Sequence, residues 1–303
     1  MILMEMFLLS DSDGFIGGMY RFCRSGKGTE TRWERTGDYI KEKYMRLDKF
    51  LADMNQGTRK ELKQLIRKGL VTVDGVTVKD PGTAVTKTSD IVLAGIPVVY
   101  NEYEYYMMNK PRGVITATED ARQETVLDLM AGEHRKDISP VGRLDKDTVG
   151  LLLITNDGQL NHQLLSPKHH VDKEYLARVS GKVTENDVKA FARGLFIEEG
   201  FRALPAQLKI QAYREIPAEA DFRDLAMSNA PGQDLPDGVT EITVVIQEGK
   251  YHQIKKMFHA IGKEVIYLQR IRMGSLELDP NLQEGQYRKL TDEEIRLLKQ
   301  SRE

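Results

Sequence analysis

The run VGRLDKDTVGLLLITNDG, residues 141–158, concentrates groups able to do chemistry: Arg143, Asp145, Asp147 and Thr148 lie between Gly142 and Gly150, just ahead of the apolar stretch Leu151–Ile154. Four consecutive large apolar residues predict a buried strand, so the charged residues belong to the loop that feeds it. A loop carboxylate can be a nucleophile, a general base, a metal ligand or a solvated charge, and most aspartates are the last of these. A guanidinium facing the same pocket changes the balance for Asp145, because it favours the ionised carboxylate and can pair with a phosphate. Asp145 and Asp147 are also conceivable as the paired carboxylates of a glycoside hydrolase, but residues two apart in an extended loop point the same way rather than across a bond.

The remaining titratable residues give no second chemistry. His134, His162, His169, His170, His252 and His259 form no HExxH or other metal spacing, and His169 and His170 point in opposite directions if they lie on a strand. His252 reads as a packing or hydrogen-bonding residue. A single cysteine, Cys23, can form neither an internal disulfide nor a thiolate zinc site, which fits a reducing compartment. No metal is expected.

Around these residues stands an ordinary globular composition. The 303 residues suffice for about two domains with full cores, without metal or disulfide staples. A balance of 44 Lys+Arg against 46 Asp+Glu means that no global charge forces a polyanionic or membrane partner. Apolar runs such as Leu151–Ile154 and Val244–Ile246 fall far short of the roughly 18 residues of a membrane span. The opening MILMEMFLLS is interrupted by Glu5 and lacks a basic start, so it is not read as an export signal. Residues 1–44 show scattered glycines and charges without a period, and a weakly ordered extension is expected there. Gly26-Lys27 lacks the other residues of a phosphate loop.

Periodicity begins at Met45. Leu47, Phe50, Leu51 and Met54 predict one short helix, and Leu62, Leu65 and Ile66 a second that ends at Gly69. VTVDGVTV then predicts a hairpin about Asp74-Gly75, and DIVLAGIPVVY a long strand with Pro97 near its end. A charged connector places a domain boundary near residue 101. Beyond it, YYMMN, GVITA, GLLLIT, EYLARVS, EITVVIQ and KEVIYLQRIRMG read as strands; TVLDLM, QLNHQLLS, TENDVKAFARG, HQIKKMFHAIG and TDEEIRLLKQS read as helices. The order lacks a regular βαβ repeat, so an α+β fold with a mixed, mainly antiparallel sheet is predicted over a doubly wound one. SNAPGQDLPDG, near residues 226–238, has the composition of an exposed loop.

Residues 45–100 hold nine Lys/Arg against six Asp/Glu, an excess too small to decide anything, so placement matters more. Arg59, Lys60, Lys63, Arg67 and Lys68 sit on or beside one short helix, where spacings of three and four share a face and make a candidate phosphate-contacting stripe. A solvated helix face is the plain alternative.

MRLDKFLADMNQGTRKELKQLIRKGLVTVDGVTV resembles the S4 domain, a small RNA-binding module, over residues 45 to about 92. Arg46 joins the basic set implied to contact RNA. VGRLDKDTVGLLL closely resembles the catalytic motif of RNA pseudouridine synthases, with Asp145 at the position of the catalytic aspartate. MNKPRGV (108–114), KEYLARV (173–179) and EGKYHQIKKMF (248–258) resemble that family's flanking motifs, in order.

The resemblance implies a small S4-like domain at 45–101 and a pseudouridine synthase catalytic domain at 102–300. It implies cleavage of a uridine's C1'–N1 bond, rotation of the uracil and re-attachment through C5, with no cofactor. The target base must leave its stack to react. Asp145 then serves as nucleophile at C1' or as the base that removes a sugar proton. Tyr175 matches the tyrosine that stacks on the flipped base, Ile254 an apolar residue against that base, and Lys255 the cation paired with the aspartate. Arg143 is implied to contact phosphate, and Lys110 and Arg112 to stand near the pocket or brace the fold. Motif order and SPKHHVDKEY resemble the RsuA branch, which implies 16S small-subunit rRNA as partner, free or in an assembly intermediate. A large-subunit 23S rRNA enzyme and a non-catalytic ribosome assembly factor are the alternatives. A cytoplasmic monomer is expected, with no membrane partner. Met45-RLDKF is a candidate alternative start.

Overall fold

The computed structural model describes residues 20–24, 31–35, 44–130, 134–198, 201–216 and 238–300. Near the N-terminus β1 (Tyr20–Arg24) and β2 (Thr31–Arg35) pair antiparallel. The rest of the expected 1–44 extension, and the loop expected near 226–238, fall outside the described residues except at Tyr44 and Gly238. The chain divides into two compact units, one of residues up to 50 with 63–97, the other of 51–62 with 98 onward.

In the N-terminal region, β3 (Met45–Arg46) leads into α1 (Leu47–Asp53), followed by α2 (Arg59–Arg67). Thr58 and Glu61 close a capping box at the start of α2: the Glu61 N–H donates to Thr58 Oγ1 and the Thr58 N–H to Glu61 Oε2. Gly69, at φ 75°, ends it. The expected Asp74-Gly75 hairpin joins β4 (Val71–Val73) to β5 (Val76–Val78), both turn residues having the positive φ that such a tight turn needs. After β6 (Ala84–Val85), which pairs with β3, the single strand expected in DIVLAGIPVVY is instead a second hairpin. Its strands are β7 (Ile91–Leu93) and β8 (Ile96–Val98), turning at Ala94-Gly95 with φ 50° and 86°. The sheet order β5-β4-β7-β8 leaves β8 at an edge, the place where Pro97 removes no ladder hydrogen bond.

The second unit is built on a mixed sheet. In chain order its elements are β9 (Tyr105–Lys110), β10 (Ser139–Pro140), β11 (Val149–Thr155), α3 (Gly158–Leu165), β12 (Lys173–Ser180) and α4 (Glu185–Arg193). The short hairpin β13 (Phe196–Glu198) and β14 (Phe201–Arg202) precedes β15 (Gln207–Glu215) and β16 (Gly238–Ile246). Then come α5 (Gln253–His259), β17 (Val265–Met273), β18 (Leu276–Glu277), β19 (Tyr287–Lys289) and α6 (Asp292–Gln300). The strand order β15-β16-β12-β17-β11-β9-β19 is antiparallel except where β11 meets β17, so the α+β reading with a mainly antiparallel mixed sheet holds.

Two apolar clusters clothe the sheet. One gathers Leu152 and Ile154 with Tyr175, Ala177, Phe191, Met257 and Phe258; the other gathers Leu151 and Leu153 with Met107, Leu160, Leu164 and Leu298. Alternate residues of β11 therefore feed opposite layers, which is why VGLLLIT is apolar throughout rather than alternating.

Two expected elements are absent. GVITA makes only an isolated bridge from Ile115 to Thr125: Ile115 bonds Glu124 and Val126, while Gly113 and the Thr116 hydroxyl on either side turn to Lys146 and Leu144. TVLDLM forms turns: Asp128 Oδ2 accepts from both the N–H and the hydroxyl of Thr125, and six residues are too few to sustain a helix against that local competition. Val126 and Met130 still reach the core.

Candidate active site

Asp145, Lys146, Asp147 and Thr148 form a β-turn, closed by Thr148 N–H donating to Asp145 O at 3.1 Å. Its supports come from the end of β9 and the segment after it. Gly113 N–H donates to Lys146 O at 2.8 Å, and the Thr116 hydroxyl donates to Leu144 O at 2.8 Å. Lys110 has 0% exposure, and its Nζ lies 3.1 Å from each of three carbonyls, those of Pro111, Asp145 and Thr148. An ammonium has three donors, and here all are taken. Lys110, expected to stand near the pocket or to brace the fold, here ties three carbonyls in and beside the turn together. Burial pushes its pKa down to about 8, while the negative charges of Asp147 and Asp145 work against that fall.

At the far end of the turn Gly150 has φ 101°, and a Cβ there would run into the backbone of Arg270 on β17. Only glycine permits this approach of the two parallel strands. Gly142, the other bracket, has φ 72°.

Lys255, on α5, meets both carboxylates of the turn. Its Nζ is 2.5 Å from Asp147 Oδ1 and 3.4 Å from Asp145 Oδ2. Burial works against ionisation of Asp147, but the hydrogen bond and charge of Lys255 outweigh it and hold the carboxyl below the usual range. The other oxygen of Asp145, Oδ1, stands 3.5 Å from His252 Nε2. Asp145 is half-buried and Arg143 exposed. Arg112 is half-buried close to the turn, its charge felt by Lys110 and Asp147, and its Nη2 is buried without a hydrogen-bond partner.

Tyr175 is 7% exposed, and Ile254 is buried in the same cluster. Leu144, neighbour of Asp145, belongs to that cluster too. The residues expected to handle a base thus adjoin the two charged residues through their chain neighbours. Opposite Tyr175 on β17 lies Arg270, 2% exposed, whose Nε donates to Leu151 O at 2.8 Å. The sequence alone does not pair Asp147 with Lys255 or His252 with Asp145, and Arg270 has no role in it. Asp147 and His252 each lie in a motif that offers a signal; Arg270 does not. His169 lies in a 3-10 turn, Pro167–His169, and His170 follows in a left-handed conformation, so neither is on the strand considered for them.

In the N-terminal region Arg59, Lys60, Arg67 and Lys68 are exposed, which suits a contact surface and a solvated helix face alike. Arg46 is paired with the buried Asp48 through two hydrogen bonds, and half-buried Lys63 lies 3.9 Å from the same carboxylate.

Residues 104–260 match the family described as RNA pseudouridylate synthase, and residues 45–92 match the S4 domain. An uncharacterized RNA pseudouridine synthase of Bacillus subtilis (strain 168), YtzG, is 44% identical over 256 residues, 84% of this chain and 98% of that one. Ribosomal small subunit pseudouridine synthase A of Vibrio cholerae is 40% identical, and that of Escherichia coli (strain K12) 35%, each over 252 residues, 83% of this chain and 98% of the relative. A crystal structure of a pseudouridylate synthase superposes with a TM-score of 0.53 at 32% identity, covering 84% of this chain and 99% of that chain. The chain therefore belongs to the RNA pseudouridine synthases, isomerases of RNA, and carries an S4 domain ahead of its catalytic domain.

Proposed function

We propose that the protein converts one uridine of 16S small-subunit rRNA to pseudouridine in the cytoplasm, acting as a monomer and using Asp145 as its catalytic carboxylate. The observation that carries this reading is the position of Asp145: a half-buried carboxylate on a braced turn, with Lys255 on one oxygen and His252 on the other. The small-subunit target rests on the names of the Vibrio and Escherichia relatives and on the length over which they align.

The target uridine is flipped from its stack, and Arg143, exposed two residues from Asp145, takes up the phosphate beside it. Ionised Asp145 then attacks C1' with departure of uracil through N1, or removes the C2' proton with the same departure. In either route the ammonium of Lys255 stands 3.4 Å from Oδ2 of the reacting carboxylate. The uracil turns against the ring of Tyr175 and the side chain of Ile254, and C5 bonds to C1' as the bond from Asp145 to C1' breaks or, on the second route, as the proton held by Asp145 returns to C2'. Loss of the C5 proton completes the isomerisation, with Tyr175 assisting. No group enters or leaves the RNA overall. Arg112 lines the approach to the turn, while Arg46, Arg59, Lys60, Lys63, Arg67 and Lys68 hold the surrounding RNA by its backbone.

The test is pseudouridine mapping of small- and large-subunit rRNA after treatment with the protein and with Asp145→Asn, which keeps shape and removes charge. One new small-subunit site made only by the unsubstituted protein is the expected result. A site in 23S rRNA would move the target. Binding without product, on free RNA and on ribosomal particles alike, would replace the enzyme with an assembly factor.

A further inference from the structure

Among the residues around Asp145, His252 has no step in the chemistry above, and several features converge on it. It precedes α5 with φ 54° and ψ 30°, a left-handed conformation uncommon outside glycine, though histidine adopts it more readily than most residues. Its ring stacks on that of Tyr251, with centroids 3.8 Å apart and planes 19° apart, and Tyr251 is itself 66% exposed. The turn that carries both is fastened below: Gln253 Nε2 donates to Glu248 Oε1 at 2.8 Å, and the Lys250 N–H donates to Gln253 Oε1 at 3.0 Å. A fixed turn, an unusual backbone angle and a stacked ring together aim Nε2 at Oδ1 of Asp145, 3.5 Å away.

A carboxylate has a plane as well as a position, and one contact on one oxygen leaves that plane free to rotate. Lys255 cannot fix it alone, because its ammonium is 2.5 Å from Asp147 and 3.4 Å from Asp145. A second group on the other oxygen completes the constraint. We propose that His252 is a positioning residue for the catalytic carboxylate: its Nε2 holds Oδ1 of Asp145 while Lys255, anchored on Asp147, addresses Oδ2, so that one lone-pair direction is presented to the sugar. This rests on the reading of Asp145 as the catalytic group.

The test uses the full chain on full-length transcripts of small- and large-subunit rRNA, measuring single-turnover pseudouridine formation and RNA affinity separately. Asn tolerates the left-handed backbone yet is too short to reach Asp145, whereas Gln restores a donor at the end of a longer side chain. His252→Asn is expected to slow product formation by on the order of tenfold to a hundredfold, with RNA affinity and melting temperature unchanged. His252→Gln is expected to recover most of the rate. Asp145→Asn, run in parallel, is expected to be inactive.

A His252→Asn rate within about twofold of the unsubstituted protein, with Asp145→Asn inactive, would overturn the positioning role and leave the reading of Asp145 standing. Equal losses in the Asn and Gln variants would overturn it as well, as would a fall in RNA affinity that accounts for the lost rate. Activity in Asp145→Asn, or no product from the unsubstituted protein, would remove the reading beneath the proposal and the proposal with it.

Discussion

Lys255 Nζ lies 2.5 Å from Asp147 Oδ1 and 3.4 Å from Asp145 Oδ2, so the site's cation is anchored on the carboxylate outside the proposed chemistry and reaches toward the one within it. Lys255→Met is expected to lower the single-turnover rate on the order of a hundredfold, with RNA affinity changed only a few-fold, because the lost charge acts on the reacting group. Lys255→Arg, which can still span both carboxylates, is expected to keep most of the activity. Comparable losses in rate and affinity for Met would show that Lys255 serves RNA binding instead.

Lys110 offers a test with a defined pH window. At pH 7, Lys110→Met leaves one buried and two partly buried carbonyls without their donor and is expected to cost about 2–4 kcal/mol of stability. The unfolded chain holds this proton up to its ordinary pKa of 10.5, whereas the folded one releases it near 8. Between those values unfolding takes up a proton, so the stability of the unsubstituted protein rises relative to the Met variant as pH rises. Below about 8 both states carry the charge and the gap is flat. Lys173, also pushed down to about 8 by burial and then by Arg270, is present in both proteins and cancels. Urea midpoints at pH 7, 8, 9 and 10 check this; a constant gap would contradict it.

Gly150→Ala sets a methyl against the Arg270 backbone at a φ of 101°. Backbone cannot retreat as a flexible side chain does, so a loss of at least about 2 kcal/mol is expected in urea unfolding. Activity should fall with it, since the Asp145 turn ends at this junction. Gly75→Ala, whose Cβ would meet nothing within 4 Å, is the control for φ strain alone, at 78°.

The basic face of α2 is expected to act on affinity and leave the chemistry alone. Arg59→Gln and Arg67→Gln together should weaken RNA binding and flatten its dependence on salt by about one unit of log–log slope for each phosphate left unneutralised. The rate at saturating RNA should not change. An unaltered salt slope would return these side chains to the role of a solvated helix face.

How far the sequence spoke depended on what each residue's neighbours were. Strands that bury one face, such as β12 with its strict alternation, announced themselves, and so did α4, whose Thr184 and Asp187 form a capping box. TVLDLM and DIVLAGIPVVY misled because their apolar spacing is real while a local side-chain bond in one, and a left-handed Ala94 in the other, decided the backbone. β15 passed unnoticed as a mostly exposed edge strand without an apolar rhythm. At the site, the types and order of Asp145, Tyr175 and Lys255 could be read. The burial of Lys110 could not, since β9 is buried on every residue, nor could the bond between Lys255 and Asp147 across 108 positions.

The guanidinium of Arg270 bonds the carbonyl of Leu151 across a separation of 119 residues, beside the place where β11 and β17 run parallel. Such a junction cannot close until the later strand exists. During synthesis the helices bearing the basic residues emerge some two hundred positions before β17, the strand that packs where the Asp145 turn ends. A growing chain therefore completes its S4 domain well before it can close the β11–β17 junction, and on the roles proposed for these residues a truncated product would compete for the substrate without converting it.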